Sequence, residues 1–316
     1  MKPIVYITQK LPDEAVAGLQ QSYEVRMWED AETSAPREEL LKQVKDAQAL
    51  WTMLPDQIDE EVFEAAPNLK IVTNLAVGYN NIDLEAAHKH KVFVTNTPDV
   101  LTETTADLTF ALLLATARRI VEADGTVRSG EWKSWSPMGM TGQNVGGATL
   151  GIIGMGRIGE AVARRAQGFG MSVLYHNRTR RSLEDVKYAA LEDLLKESDF
   201  VVILTPLTEQ TKGMIGEKEL SLMKESACLI NVARGGIVDE TALYEALKAN
   251  KLWGAGLDVF EQEPVPTDHP LLSLPNVTVL PHIGSATVQT RLAMMAMNAE
   301  AIASCFEGRS VKNRVC

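Results

Sequence analysis

The segment Leu150-Gly151-Ile152-Ile153-Gly154-Met155-Gly156-Arg157-Ile158-Gly159 contains an apolar strand pattern that runs directly into a GxGxxG turn. Residues 160–168 continue with helical spacing and good helix formers. In a dinucleotide-binding fold, the first glycine permits the turn, the second admits a pyrophosphate, and the third lets the helix pack on the strand. We therefore predict that residues 154–159 bind dinucleotide phosphates at a helix N-terminus. The motif alone also admits flavin and methyl-transfer variants, or a turn without ligand.

Short β-branched runs alternate with helical patterns along the chain, which predicts an α/β fold with parallel sheets. The runs lie at residues 4–8, 24–28, 49–53, 71–74 and 92–95, and again at 149–153, 172–176, 200–204, 228–232, 255–259 and 277–280. Single helices are predicted over residues 101–127 and 287–306. Because 316 residues exceed one ordinary core, we expect two domains. The first is discontinuous, at 1–99 and 286–316, and the second is a Rossmann domain at 100–285.

Composition and charge exclude several classes of protein. The formal net charge is −11, which argues against nucleic acid or an anionic membrane surface as the main partner. The apolar stretch at 108–117 is too short to cross a bilayer. The three cysteines are widely spaced, and the N-terminal residues lack a signal-peptide pattern, so we expect a cytoplasmic protein.

The choice of cofactor is usually made after the second strand of a Rossmann fold, where an acidic residue marks NAD. Here the residues are His176-Asn177-Arg178-Thr179-Arg180-Arg181, without an acid. Arginine offers a bidentate fork that suits a phosphate. We therefore expect Asn177, Arg178 and Thr179 to contact the cofactor, with NADP(H) preferred and NAD(H) possible. A solvated basic loop is the alternative.

Three polar residues follow predicted strands at the edge where ligands bind in open parallel sheets. They are Arg234, Glu263 and His282. Reduction of a 2-oxo acid needs a cation for the substrate carboxylate, a proton donor, and a group that keeps the donor charged. These residues supply those roles, although each taken singly could be structural. His269 lies in a loop without an evident role, and GxSxG, HExxH and P-loop patterns are absent.

These residues belong to four ordered motifs by which the chain resembles the D-isomer-specific 2-hydroxyacid dehydrogenase family over essentially its whole length. The motifs are the glycine turn at 154–159 and the stretches at 231–239, 256–264 and 280–285. The resemblance implies a Rossmann domain with a flavodoxin-like substrate domain, and a dimerisation extension at about 101–147. It also implies that His282 donates the proton, Glu263 partners it, and Arg234 binds substrate.

The resemblance further implies contacts outside these three residues. Cofactor contacts are expected at Val232, Ala233, Asp258 and Gly284. The turn that contains Val77 and Gly78 is expected to bind the substrate carboxylate through backbone amides. Leu54 and Trp135 are candidates for the pocket walls. Trp135 would reach the site of a partner subunit in a homodimer, or would simply pack in the extension.

Within the family, the chain is most similar to glyoxylate and hydroxypyruvate reductases, including 2-ketogluconate reductases. The resemblance implies NADPH-dependent reduction of glyoxylate or hydroxypyruvate to D-2-hydroxy acids, with no metal. Other D-2-hydroxyacid dehydrogenases remain an alternative. A dinucleotide-sensing protein of the corepressor type is a more remote one.

Overall fold

A computed structural model describes residues 2–316, which form two compact units. Unit 1 comprises the chain through Leu101 together with Ala286–Cys316, and unit 2 comprises Thr102–Ser285. The strands are, in chain order, β1(Ile4–Ile7), β2(Glu24–Met27), β3(Ala49–Thr52), β4(Ile71–Asn74), β5(Phe93–Thr95), β6(Thr149–Ile153), β7(Ser172–His176), β8(Lys187–Tyr188), β9(Phe200–Ile203), β10(Cys228–Asn231), β11(Gly254–Leu257) and β12(Val277–Val279). The helices are α1(Asp13–Ser22), α2(Arg37–Gln43), α3(Glu60–Ala65), α4(Leu84–Lys89), α5(Thr102–Ala117), α6(Ile120–Arg128), α7(Arg157–Gly168), α8(Leu191–Glu197), α9(Glu217–Leu222), α10(Glu240–Lys248) and α11(Val288–Phe306).

Unit 1 is a five-stranded parallel sheet in the order β2-β1-β3-β4-β5. This is the flavodoxin-like order. Strands β3 and β4 are buried along their whole length, as expected when helices cover both faces of a parallel sheet. Helix α11 returns to this unit and packs on α1 and β4. The predicted α/β class with a flavodoxin-like unit is confirmed.

Unit 2 is a seven-stranded parallel sheet in the order β12-β11-β10-β9-β6-β7-β8. Counted within this unit, the order is the Rossmann arrangement 3-2-1-4-5-6 with one further strand at the edge. The carboxyl ends of β6, β10, β11 and β12 therefore share one edge of the sheet. Helix α10 begins at a side-chain cap, where Asp239 accepts a hydrogen bond from the amide of Ala242 at 2.9 Å.

The prediction of a single helix over residues 101–127 was wrong, because the structure has two helices there, α5 and α6. Arg119, at the break, has a left-handed φ of 54° and forms an ion pair with Glu122 at 2.6 Å. The returning chain also caps α5, because the amide of Gln143 donates to the carbonyl of Ala117 at 2.8 Å. Helix α6 buries none of its residues. In residues 2–316 the structure contains no helix of the length and apolarity needed to span a membrane.

Candidate functional site

The glycine turn joins β6 to α7, and at two of its glycines a side chain would collide with backbone atoms. Gly154 has a φ of +102°, and a Cβ there would lie 2.5 Å from the backbone nitrogen of Thr205. A Cβ on Gly159 would lie 2.7 Å from the carbonyl oxygen of Gly154. At Gly156, by contrast, a Cβ would meet no atom within 4 Å. The turn thus packs tightly on its strand side and leaves an open backbone face beside the start of α7, where a pyrophosphate fits.

The turn is held by the residue that follows β7. Asn177 accepts the amide of Met155 through Oδ1 at 2.6 Å and donates from Nδ2 to the carbonyl of Met155 at 3.1 Å. Ile158 packs partly buried against the apolar core of unit 2. Arg157 is the first residue of α7. The backbone of the turn is therefore fixed in the described structure.

The basic loop after β7 separates its three guanidinium groups. Arg181 donates to the carbonyl of Met155 at 2.9 Å and forms an ion pair with Glu160. Arg180 lies over the ring of Tyr188, 5.5 Å from its centroid. Arg178 and Thr179 are exposed. Arg181 thus binds the glycine turn, whereas the side chain of Arg178 is exposed to solvent.

Glu263 and His282 come together after β11 and β12. His282 Nδ1 lies 2.7 Å from Glu263 Oε2, and Glu263 Oε1 accepts the amide of Phe260 at 3.0 Å. Burial opposes ionisation of Glu263, but the hydrogen bond and charge of His282 outweigh it and hold the pKa of Glu263 below its usual value. His282 adopts a left-handed φ of 54°, a strained conformation that is common at functional sites.

Arg234 follows β10 on the same edge of the sheet. Its Nη1 donates to the carbonyl of Ala233 at 2.7 Å, and Asn231 Nδ2 donates to the carbonyl of Arg234 at 2.9 Å. Burial lowers the pKa of the Arg234 guanidinium, and the charge of Glu263 opposes that effect. The charge of Arg234 in turn favours the ionised Glu263. The three predicted residues, Arg234, Glu263 and His282, therefore interact with one another through their charges in unit 2.

Asp258 lies at the end of β11 and is 1% exposed. Its Oδ1 accepts the amide of Ile283 at 2.7 Å, whereas Oδ2 is buried and makes no hydrogen bond of good geometry with any residue from 2 to 316. Burial raises the pKa of Asp258, against the amide of Ile283, the charge of His282 and the amide of Gly284. A Cβ on Gly284 would lie 3.4 Å from Oδ2. An acceptor in this position fits the amide group of a nicotinamide.

The remaining predicted cofactor contacts are near this carboxylate. Val232 is buried, and Ala233 is partly buried, directly after β10. The amide of Ala233 donates to Asn231 Oδ1 at 3.1 Å. Among residues 2–316, no group of three or more His, Cys, Asp or Glu side chains could hold a metal ion. The residues predicted to contact the cofactor thus follow β6, β7, β10 and β11 at one edge of the sheet of unit 2.

In unit 1, the turn after β4 is held through its carbonyl groups. Asn74 Nδ2 donates to the carbonyl of Gly78 at 2.8 Å, and Asn96 Nδ2 donates to the carbonyl of Val77 at 2.8 Å. Val77 is 36% exposed. Neither asparagine was predicted from the sequence, although each stands at or just after a strand end, which is the signal that could have identified them.

The two proposed wall residues have different surroundings. Leu54 is partly buried in the loop after β3, where Asp56 accepts the amide of Met53 at 2.7 Å. Trp135 is 79% exposed in the segment after α6. Five other large apolar side chains between residues 120 and 138 are also mostly exposed: Ile120, Val121, Val127, Trp132 and Met138.

Comparisons with known proteins identify relatives of this site. Residues 110–284 match the family model described as "D-isomer specific 2-hydroxyacid dehydrogenase, NAD binding domain". A glyoxylate reductase from Korarchaeum cryptofilum is 52% identical, over 100% of this chain and 96% of that protein. A glyoxylate reductase from Pyrococcus furiosus is 54% identical, over 93% of this chain and 89% of that protein.

Solved structures show the same architecture. The TT0316 protein from Thermus thermophilus superposes with a TM-score of 0.94 and 46% identity, covering 99% of this chain and 100% of that chain. An NADPH-dependent glyoxylate/hydroxypyruvate reductase from Sinorhizobium meliloti, solved in complex with NADP and malonate, gives a TM-score of 0.87 and 34% identity. That match covers 100% of this chain and 97% of the other.

Proposed function

Because this chain belongs to the D-isomer-specific 2-hydroxyacid dehydrogenase family and is an NAD(P)-dependent dehydrogenase, we propose that it reduces small 2-oxo acids with NADPH. The proposed substrates are glyoxylate and hydroxypyruvate, and the products are glycolate and D-glycerate. The observation that carries the proposal is the 2.7 Å contact between His282 and Glu263 on the edge of a Rossmann sheet. The glyoxylate reductases among the relatives support the choice of substrate.

In this proposal His282 is the proton donor. The lowered pKa of Glu263 keeps its carboxylate ionised, and a carboxylate only accepts hydrogen bonds. His282 Nδ1 therefore carries a proton toward Glu263, which leaves Nε2 to deliver the second proton of the imidazolium to the substrate oxygen. A bound nicotinamide dinucleotide supplies the hydride. Glu263 both orients the ring and stabilises its charged form.

Arg234 is proposed to bind the negatively charged substrate. A guanidinium stays protonated and can hold a carboxylate through two parallel hydrogen bonds. The amides of Val77 and Gly78 are proposed to bind the substrate carboxylate as well. The carbonyls of Val77 and Gly78 accept hydrogen bonds from Asn96 and Asn74, which hold the turn that carries these amides. Leu54 and Trp135 are proposed as walls for the distal end of the substrate.

For the cofactor, we propose that residues 154–159, Val232, Ala233 and Gly284 contact the dinucleotide, with Asp258 accepting from its carboxamide. The preference for NADP(H) over NAD(H) is proposed to come from Asn177, Arg178 and Thr179. Its support is the absence of an acidic residue directly after β7 and the exposed guanidinium of Arg178. The relative from Sinorhizobium meliloti is NADPH-dependent, which favours the same choice.

Two further features complete the proposal. The apolar side chains exposed between residues 120 and 138 are proposed to bind a second copy of the chain, which gives a homodimer. Free cysteines without a disulfide among residues 2–316 are compatible with the proposed cytoplasmic location.

The test follows NADPH and NADH absorbance with glyoxylate, hydroxypyruvate and 2-ketogluconate. We expect turnover that prefers NADPH, and a loss of kcat of about a hundredfold to ten-thousandfold in His282→Ala. His88→Ala, on an exposed face of α4, is the matched control and should leave kcat unchanged. Tight dinucleotide binding without turnover of any 2-oxo acid would instead favour a dinucleotide-sensing binding protein. A clear preference for 2-ketogluconate would make that compound the substrate.

A further inference from the structure

A second histidine–glutamate pair lies next to the loop that carries Glu263. His269 Nε2 is 3.1 Å from Glu240 Oε2, and both side chains are less than a fifth exposed, at 19% and 15%. His269 Nδ1 is buried without a hydrogen-bond partner among residues 2–316, which assigns the ring proton to Nε2, facing the carboxylate. The proposed reaction gives this pair no role.

The other oxygen of Glu240 holds the backbone of the loop. Glu240 Oε1 accepts the amide of Glu261 at 2.6 Å. One residue earlier, the amide of Phe260 donates to Glu263 Oε1 at 3.0 Å. Two carboxylates therefore bind consecutive amides of the same loop, one from α10 and one from the loop itself. The ring of His269 also makes an edge contact with the ring of Phe260, with centroids 6.1 Å apart.

The peptide between Phe260 and Glu261 is also packed from the side of Arg234. A Cβ on Gly235 would lie 1.9 Å from the carbonyl carbon and oxygen of Phe260 and 2.2 Å from the nitrogen of Glu261. Gly235 therefore lies flat against this peptide, and only glycine fits there. The peptide between Phe260 and Glu261 is thus held in two ways. Glu240 accepts its N–H, and Gly235 packs against its face.

We propose that Glu240 is a positioning residue for Glu263, and that His269 orients Glu240 for this purpose. The inference rests on the proposed function, since it assigns Glu240 to the placement of the carboxylate that partners His282. Glu263 lies two residues beyond Glu261, whose amide is bound by Glu240. A small displacement of the loop would therefore change the contact of Glu263 with His282. Reactions of this kind lose rate steeply when a catalytic group moves by about 1 Å.

A purely structural role for Glu240 makes a different prediction. Glu240 is the first residue of α10, where an acidic side chain stabilises a helix through its dipole. If that were its whole role, its removal would lower thermal stability and leave the kinetics of the folded enzyme unchanged. If Glu240 positions Glu263, removal lowers kcat while substrate KM and dinucleotide affinity stay near their original values.

The experiment compares Glu240→Ala, Glu240→Gln and His269→Ala with the parent enzyme, measuring kcat, KM, NADPH affinity by fluorescence, and Tm. The matched control is Glu245→Ala, which removes an exposed carboxylate from the same helix. We expect Glu240→Ala to lower kcat about tenfold, with KM and NADPH affinity changed less than about threefold. Glu240→Gln keeps an oxygen for the amide of Glu261, so it should recover kcat to within about threefold of the parent.

The outcomes separate this inference from the proposed function. If the parent reduces 2-oxo acids and His282→Ala is inactive, but Glu240→Ala has the kcat of Glu245→Ala, only the positioning role is overturned. It is overturned equally if Glu240→Gln is as slow as Glu240→Ala, because the retained acceptor then has no effect. Should Glu240→Ala fail to fold, His269→Ala and Glu240→Gln decide, since His269→Ala must lower kcat by about threefold or more without loss of NADPH affinity. A parent that turns over no 2-oxo acid overturns the proposed function itself.

Discussion

Asn177 binds both backbone groups of Met155, accepting its amide at 2.6 Å and donating to its carbonyl at 3.1 Å. An aspartate could not make both contacts, because an ionised carboxylate has no donor. The residue after β7 is therefore tied to the shape of the glycine turn as well as to the proposed choice of cofactor.

Replacing Asn177 by aspartate should weaken both NADPH and NADH. Asn177→Asp sets a carboxylate oxygen against the carbonyl of Met155 and adds a negative charge near the proposed phosphates. We expect affinity for both dinucleotides to fall by about tenfold, measured by fluorescence titration. The control is Asn250→Asp, at an exposed position after α10. Weakened binding of one dinucleotide alone would contradict a role in the shared turn.

The arginines of the basic loop should behave differently from one another. Arg178 is exposed, so Arg178→Ala should raise KM for NADPH about tenfold and leave KM for NADH within about twofold. Arg181 binds Glu160 and the carbonyl of Met155, so Arg181→Ala should weaken the two dinucleotides to a similar degree. Steady-state kinetics with both cofactors measures the difference. Equal effects of Arg178→Ala on NADPH and NADH would argue against a 2'-phosphate contact.

Asp258 should make the stability of the free protein depend on pH. Burial raises the pKa of Asp258 above its usual value of 3.8. The folded state then binds the proton more tightly than the unfolded state, so this contribution is present below that value and is lost as pH rises through the folded pKa. Asp258→Asn lacks this contribution, so the free energy of unfolding of the variant should rise relative to that of the parent as the pH increases above 3.8. Urea unfolding without dinucleotide tests this, and a gain in the opposite direction would refute it.

Replacing Asn74 or Asn96 in unit 1 should weaken binding of the substrate and leave binding of the cofactor unchanged. Asn96→Ala leaves the carbonyl of Val77 without its donor, and Asn74→Ala does the same for Gly78. Each should raise KM for the 2-oxo acid by about fivefold to tenfold, with NADPH affinity unchanged. Asn68→Ala, at an exposed position in the same unit, serves as the control. An equal loss of NADPH affinity would indicate general unfolding instead.

The apolar surface after α5 should hold two copies together. Val121 and Val127 are 57% and 60% exposed on α6. A Val121→Glu, Val127→Glu double variant places charges on that surface and should convert a dimer into monomers in analytical ultracentrifugation. Lys251→Glu, an exposed charge reversal outside that surface, is the control. Sedimentation of the parent itself as a monomer would rule out the proposed homodimer.

Much of the fold could be predicted from local patterns. The strand, turn and helix at residues 150–159 are encoded by neighbouring residues, because the glycines meet steric demands that few other sequences satisfy. The alternation of β-branched runs with helical spacing predicted parallel sheets, and the structure has two of them. The four ordered motifs indicated the family that the comparison identifies. Arg234, Glu263 and His282 were recognisable as strand-end residues, and their catalytic roles stay predictions.

The fold class, the family and the glycine turn follow from the amino-acid sequence alone, since these depend on residues close together in the chain. Which side chains meet depends on how the chain folds. The break at Arg119 depends on Gln143 returning to Ala117, the engagement of Arg181 depends on Glu160, and the contact of Glu240 with Glu261 and His269 joins three separate segments. Hydrogen bonds and ion pairs of this kind leave no periodic signal, because their partners are brought together by packing of the sheet and helices and not by spacing along the chain.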